Sequence, residues 1–430
     1  LRASGSAVSS PFLNAGSALL TSKPQRTLPR IEFIGILAAI MASTALGIDL
    51  MLPAFADIRE AFGLAEDSTA VAGIVTAYFI GLALAQVIWG PIADRFGRKP
   101  TLFVGLAIYA VGALASAVSP SLTVLYVARF FWGMGAAGPR VMALAVIRDT
   151  HEGEEMARVM SFIMAIFIVV PVIAPSLGAA ILAIASWRWV FGFAVIYAAV
   201  IALWAIRLPE SLHPEYRLDL EFTRVARAAR FVVSNRQTLG YTMALTVLFG
   251  VFSSYLASSE IVFGDVFGRA DQFPLIFGGI AAVMGTAMMT NGLVVRRLGV
   301  RRLVHSATIG YVVVAATMVW VSTTGDGSPA FGLFVVVLAL QLVLYSLMFP
   351  NMNTIAMDPM GSVAGMAAAV IGLASIAGGA LLGSILDRAF DGTVRPLSVG
   401  FLLSGIATLA VVLWAEHGRL FRARTQDSPP

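Results

Sequence analysis

Asp49 sits inside an otherwise apolar run, Gly47-Ile48-Asp49-Leu50-Met51-Leu52-Pro53-Ala54. A carboxylate within a bilayer costs about 2.5–3.5 kcal/mol on insertion scales, and intramembrane acids mark ion pathways and proton relays. A bound proton removes the charge, so such a group can load and release protons. The structural alternative is a static ion pair, or a side chain reaching outward to water. Arg129 is the basic counterpart, in the apolar run 121–147. At 1.5 Å per residue, Asp49 lies about 8 Å and Arg129 about 10 Å from the outer ends of their segments. The two could therefore meet across a helix interface. Arginine stays charged under all relevant conditions, and a fixed positive charge nearby would help a carboxyl shed its proton. The plainer reading of the pair is a structural salt bridge. Arg140 lies eleven residues beyond Arg129, on nearly the same helical face. It would either draw polar or anionic substrates into a shared lumen or snorkel to the headgroups.

A second constellation is the charged turn 90–102, Gly-Pro-Ile-Ala-Asp-Arg-Phe-Gly-Arg-Lys-Pro-Thr-Leu, between two apolar runs. Asp94 stands among Arg95, Arg98 and Lys99, while Gly90 and Gly97 permit a tight turn and close helix approach. A carboxylate here could stabilise the N-terminus of a neighbouring helix and so act as a gate. A mere topology anchor would need only the positive charges. A third group, Pro171, Pro175 and Gly178, shares one run. It reads as a kink at a packing interface or as an ordinary bent span. By depth alone, Tyr78, Arg140, Phe252, Tyr255, Met284, Met288, Gln341, Asn351 and Asn353 could line a pocket. Methionine and aromatic residues equally fill helix contacts.

These residues need elements to hold them. The chain has 430 residues, of which 58% are hydrophobic and 12% charged, against about 25% charged in a soluble domain. Apolar runs between polar breaks number twelve, near 33–54, 69–92, 100–118, 121–147, 158–184, 188–207, 238–262, 273–295, 302–323, 329–355, 362–386 and 397–415. Each approaches or exceeds the roughly 20 residues a spanning helix requires. The expected fold is an all-α membrane protein of twelve transmembrane helices in two six-helix pseudo-repeats. Trp187 and Trp189 suit an interfacial aromatic position.

With the N-terminus inside, 22 of the 29 Lys and Arg residues fall in inside segments, which places both termini in the cytoplasm. The same asymmetry accounts for the net charge of +5 without nucleic acid. The polar insert 208–237 carries Arg217, Arg224, Arg227 and Arg230 on a plausible amphipathic helix. The expected organisation is a flexible cytoplasmic tail 1–30, a six-helix bundle 31–207, the linker 208–237, a second bundle 238–416 and a tail 417–430. The halves echo each other, since Gly90 and Gly97 recur as Gly292 and Gly299, both pairs ahead of basic residues. Arg296 stands where that offset would place a partner for Asp94. Two parallel repeats are a transporter architecture, with substrate held between them near mid-membrane.

Other chemistries find no residues. There are no cysteines, so disulfides, thiolate metal sites and cysteine nucleophiles are excluded. His151, His213, His305 and His417 read as exposed residues in loops or near helix ends, without metal-ligand spacing. No Walker loop and no nucleophile–base constellation occurs. No enzyme activity, cofactor or metal is expected. Residues 1–30 lack an apolar stretch ending in a cleavage site, so no signal peptide is read there.

The turn 90–102 resembles the loop 2–3 signature of the major facilitator superfamily, Gly-x-x-x-Asp-Arg-x-Gly-Arg-Lys-x. The run 47–54 resembles the Asp-x-Tyr-Leu-Pro-Ala run of bicyclomycin- and chloramphenicol-type drug:proton antiporters. Arg129-Phe130-Phe131-Trp132-Gly133 resembles their span 4 motif Arg-x-x-Gln-Gly, and Arg148-Asp149 is typical of that group. Ala174-Pro175-Ser176-Leu177-Gly178 resembles the span 5 antiporter motif Gly-Pro-x-x-Gly-Gly. Trp132 replaces the motif glutamine, Met51 the tyrosine, and Ala174 and Ala179 two glycines. The resemblance covers about 31–416. It implies a proton-coupled antiporter that exports small amphipathic drugs or toxic compounds by alternating access in a bacterial inner membrane. It further implies proton coupling at Arg129, and a contact of Asp94 with span 11, near Ser362, that favours the outward-open state. The expected partners are a small-molecule substrate, protons and the lipid bilayer, with no nucleic acid, and the expected state is a monomer. A proton-coupled transporter of a sugar, nucleoside or siderophore is the alternative within transport. A non-transporting membrane receptor is the alternative outside it.

Overall fold

The computed structural model describes residues 28–213, 215, 217 and 222–421. The expected tails at 1–27 and 422–430, the side chain of Arg224 and that of Ser362 lie outside the described residues. Among the described residues, twelve helices are long and apolar enough to cross a membrane. Spans 1 to 6 are Arg30–Ala61, Thr69–Phe96, Arg98–Ala117, Leu122–Thr150, Gly153–Leu182 and Arg188–Ala205. Spans 7 to 12 are Arg236–Val266, Ala270–Leu298, Val300–Ser322, Phe331–Gly361, Ala364–Asp387 and Arg395–Ala415. Most are apolar on all sides, as a helix must be when one face meets protein and the other meets lipid. The linker helix Phe222–Ser234 is the amphipathic one, with Ala228 and Val232 buried and Arg227 and Arg230 exposed. It packs on span 11.

Successive spans run in opposite directions, so Arg30 and Ala415 share one face with loops 2–3, 4–5, 6–7, 8–9 and 10–11. We call this the terminal face and its opposite the distal face. Span 1 is longer than the expected 33–54. It runs as helix to Asp49, turns through a 3-10 segment Leu52–Ala54 and resumes over Phe55–Ala61. The polar residues Asp57, Arg59 and Glu60 resemble a loop in sequence, yet Arg59 is buried against a partner on span 7. Trp187 is buried, edge-on to Phe62 and Phe191, so the interfacial position expected for it is filled by the exposed Trp189 alone. His305 is likewise buried within span 9 rather than exposed.

Helices in lipid gain little from hydrophobic burial, so they associate through close packing at small residues. Spans 2 and 4 do this backbone to backbone. A Cβ at Gly81 would run into the carbonyl of Phe130, and one at Gly133 into that of Tyr78. The halves meet along spans 2 and 11, spans 5 and 8, and spans 1 and 2 against span 7. At the distal face Arg59 of span 1 holds Glu260 of span 7. Toward the terminal face, span 8 carries no buried residue from 286 to 298. The molecule is closed distally, while span 8 stands uncovered toward the other side.

Candidate functional site

Asp49 ends the first helix of span 1. Pro53, lacking an N–H, marks the break that follows. Because span 1 continues to Ala61, Asp49 lies twelve residues from the distal end, about 18 Å at helical rise and deeper than the sequence suggests. The side chain is buried, at 4% exposure, and makes no hydrogen bond or ion pair with a described residue. In particular it does not pair with Arg129.

Arg129 is fully buried and turns two of its three nitrogens to backbone. Nη1 donates to the carbonyl of Gly47 at 2.8 Å, and Nε to that of Ile74 at 3.4 Å. Its guanidinium lies 4.5 Å from the ring centroids of both Tyr78 and Trp132. Such a cation–π contact stabilises a desolvated cation by about 2 kcal/mol or more. Trp132 therefore contributes a π-face where the related motif has an amide. Nη2 of Arg129 and Nε1 of Trp132 are buried without a hydrogen-bond partner.

Three tyrosines reinforce the same span. The hydroxyls of Tyr78, Tyr109 and Tyr197 each donate at 3.0 Å to the carbonyls of Thr44, Ser43 and Ala39. With Gly47, these carbonyls fall at helical spacing along one side of span 1. Spans 2, 3, 4 and 6 thus each grip span 1 by its backbone, just short of Asp49. Sequence reasoning placed Tyr78 in the pocket, but it has no exposed surface. It missed Tyr109 and Tyr197, whose only signal is a hydroxyl inside an apolar run, which needs a partner when buried.

At the loop 2–3 turn, Arg98 Nη1 donates to Asp94 at 2.6 Å and Nε to Asp149 at 2.9 Å. Both Asp94 and Asp149 therefore belong to the first half, and Asp94 has no partner among the described residues of span 11. Arg95 is exposed. Gly97 has φ 104° and ψ 162°, a region open essentially to glycine alone. Gly90 differs, since nothing lies within 4 Å of where its Cβ would stand. Glu210, beyond span 6, accepts hydrogen bonds from the backbone N–H groups of Arg98 and Lys99 at 2.9 and 3.1 Å. A carboxylate so placed satisfies orphan donors at a helix start and complements the dipole. The second half shows a related device. Gly299 has φ 79° and ψ 152°, and Glu416, beyond span 12, pairs with Arg301 and accepts from Tyr241 at 2.9 Å.

Span 5 remains helical over Gly153–Leu182 with Pro171 and Pro175 inside it. Gly178 faces the break in span 1, where a Cβ would strike the carbonyl of Leu50. Of the proline–glycine group, Gly178 thus packs one residue away from Asp49.

The remaining candidates divide by exposure. Phe252, stacked on Tyr345 at 4.6 Å, is half-buried, as are Arg140 and Met284. Tyr255 is buried and stacked on Phe277 of span 8 at 5.9 Å. Asn351 is buried and donates to Asn291 of span 8 at 2.8 Å. Gln341 is fully enclosed within the second half, its amide atoms without hydrogen-bond partners. Phe79 of span 2 meets Phe249 of span 7 at 5.0 Å and carries the aromatic series across the halves.

The sequence profile of the Major Facilitator Superfamily matches residues 36–380. An uncharacterized MFS-type transporter, YdgK of Bacillus subtilis, is 28% identical over 83% of this chain and 88% of its own. The bicyclomycin resistance protein homolog of Haemophilus influenzae is 26% identical over 85% of this chain and 91% of its own. Among solved structures, a D-xylose-proton symporter superposes with a TM-score of 0.70 at 14% identity, covering 89% of this chain and 97% of its own. That likeness is one of fold. Matched by this profile over most of its length and built of two six-span halves, the chain belongs to the Major Facilitator Superfamily.

Proposed function

We propose that the protein exports small amphipathic compounds in exchange for protons, by alternating access between its two halves. The observation that carries this reading is Asp49: a carboxylate buried in mid-span, making no ion pair with a described residue, between the backbone grip of Arg129 and the break at Leu52–Ala54. A charge there is costly and a proton cancels it. Proton binding therefore changes the balance between a state that buries Asp49 and one that opens it to water. Arg129 acts beside it, fixing the helical turn at Gly47, two residues before Asp49. The apolar and aromatic surface of Phe252, Tyr255, Phe277 and Met284, with Arg140 and Asn351 as polar groups, suits amphipathic substrates. The naming of a relative for bicyclomycin resistance supports the same class.

In this reading the terminal face, which carries most of the Lys and Arg, is cytoplasmic, the membrane is the bacterial inner membrane and the protein works as a monomer. The loop 2–3 network of Asp94, Arg95 and Arg98 then governs closure on the cytoplasmic side, with Asp94 free to turn to span 11 once the halves close there. The test is proton movement in energised inverted vesicles, with a pH-gradient dye and a panel of chloramphenicol-like, cationic and sugar compounds. Export predicts substrate-triggered collapse of the gradient in wild type and none in Asp49→Asn, with substrate binding retained. Collapse that persists in Asp49→Asn would remove Asp49 from the coupling. Collapse with sugars alone would replace drug export by sugar transport.

A further inference from the structure

Arg59 and Glu260 come from different halves, 201 residues apart in the chain. Arg59 Nη2 donates to both carboxylate oxygens of Glu260, at 3.0 and 2.9 Å. Their side chains are only 5% and 9% exposed. Neither residue has a role in the reading above, since both stand at the distal ends of spans 1 and 7, well beyond Asp49. A buried ion pair is weak glue, because desolvating two charges offsets most of their attraction, and packed apolar residues would hold the face as well. This pair is not even fully satisfied, for Arg59 Nη1 is buried without a hydrogen-bond partner. Asp57 and Asp265 lie at the same ends of spans 1 and 7, two and five residues from Arg59 and Glu260, and add acidic charge to that face. Such a pair is better suited to selecting a state than to adding stability. Separated by an opening of the distal face, both charges enter water, so release costs far less than removing one partner in place.

We propose that Arg59 and Glu260 form the distal latch of the transport cycle, closed in the arrangement seen here and open when the central cavity faces the distal side. This rests on the alternating-access part of the proposed function and is indifferent to what is carried. With no cysteine in the chain, spin labels can be placed by Ala65→Cys in loop 1–2 and Asp271→Cys at the first turn of span 8, both exposed on the distal face. Distances across that face would be measured by pulsed electron resonance in the labelled parent, in R59A, in E260Q and in the charge exchange R59E/E260R. The latch predicts a short distance in the parent. It predicts a long-distance population that grows about tenfold or more in R59A and E260Q, and a return to the short distance in the exchange, which restores the pair. E260Q preserves shape and keeps the test decisive should R59A fail to fold. An unchanged short distance in E260Q would overturn the latch. These distances need no substrate, so a latch confirmed beside silent vesicles would count against drug export alone.

Discussion

Arg129 shows how one side chain can serve as both charge and brace. Its guanidinium reaches the carbonyls of Gly47 and Ile74 while lying over the ring of Tyr78 and that of Trp132, 4.5 Å from each centroid. A lysine would keep the charge but present a single compact ammonium, which cannot fill the forked and stacked geometry together. Arg129→Lys is expected to lower proton-coupled transport at least tenfold while leaving the purified protein monodisperse, as vesicle flux and gel filtration would show. Trp132→Gln should be milder, since the amide can bond the buried Nη2 that Trp132 leaves without a partner. Flux above about a third of wild type is the expected outcome. A Trp132→Gln protein as inactive as Arg129→Lys would mean that the aromatic face is indispensable. The sequence exposes both Asp49 and Arg129, because a charge in an apolar run is conspicuous. It does not expose their separate partnerships, because a long side chain finds whichever carbonyl the neighbouring helix offers.

Among the elements, the loop 2–3 turn separates glycines that matter from one that does not. Gly97 and Gly299 hold backbone conformations that cost other residues about 1–3 kcal/mol. Gly90 and Gly292 sit within helices with open space where a Cβ would stand. Alanine at Gly97 or Gly299 should lower the apparent Tm in detergent by several degrees, and alanine at Gly90 should leave it unchanged or slightly raised, as helix interiors prefer alanine. The periodic echo of the glycine pairs is legible in the sequence, but which member bears the strain is decided by backbone angles. Glu210→Ala tests the cap on span 3, with an expected cost of about 1 kcal/mol by the same measurement. Its role is hidden in sequence by its separation of 111 positions from Lys99. The ends of span 1 are hidden in the same way. Arg59 reads as a loop residue until Glu260 is brought beside it by the packing of the halves, so its segment appears to stop at residue 54 instead of Ala61. Span count, by contrast, depends only on local apolarity, and all twelve runs coincide with helices.

For the molecule as a whole, the consequence is an asymmetry of access. The distal face is shut by Arg59 and Glu260, whereas the part of span 8 nearest the terminal face has no buried residue from 286 to 298. That exposure has two parts with different chemistry. Met289 is apolar, as a surface against lipid must be, while Leu293 lies between it and the threonines at helical spacing. Thr286 and Thr290 are polar and successive on one helical side. Their hydroxyls turn back to helix carbonyls of Ala282 and Thr286, and Asn291 beside them bonds Asn351 across to span 10. A polar side of this kind suits a water-filled space between the halves, open at the terminal face. Single cysteines in this cysteine-free chain would separate the two surfaces. A membrane-impermeant maleimide offered to the terminal face should label Thr290→Cys rapidly and Met289→Cys at least tenfold more slowly, because the reagent needs water and a thiolate that lipid does not support. Tyr255→Cys, buried on span 7 nearer the distal face, should label slowly in the wild-type background and faster from the distal side once Glu260→Gln releases that face. Equal labelling of Thr290→Cys and Met289→Cys would show that span 8 lies against lipid on both sides, and the halves would then have no open cavity between them in this state.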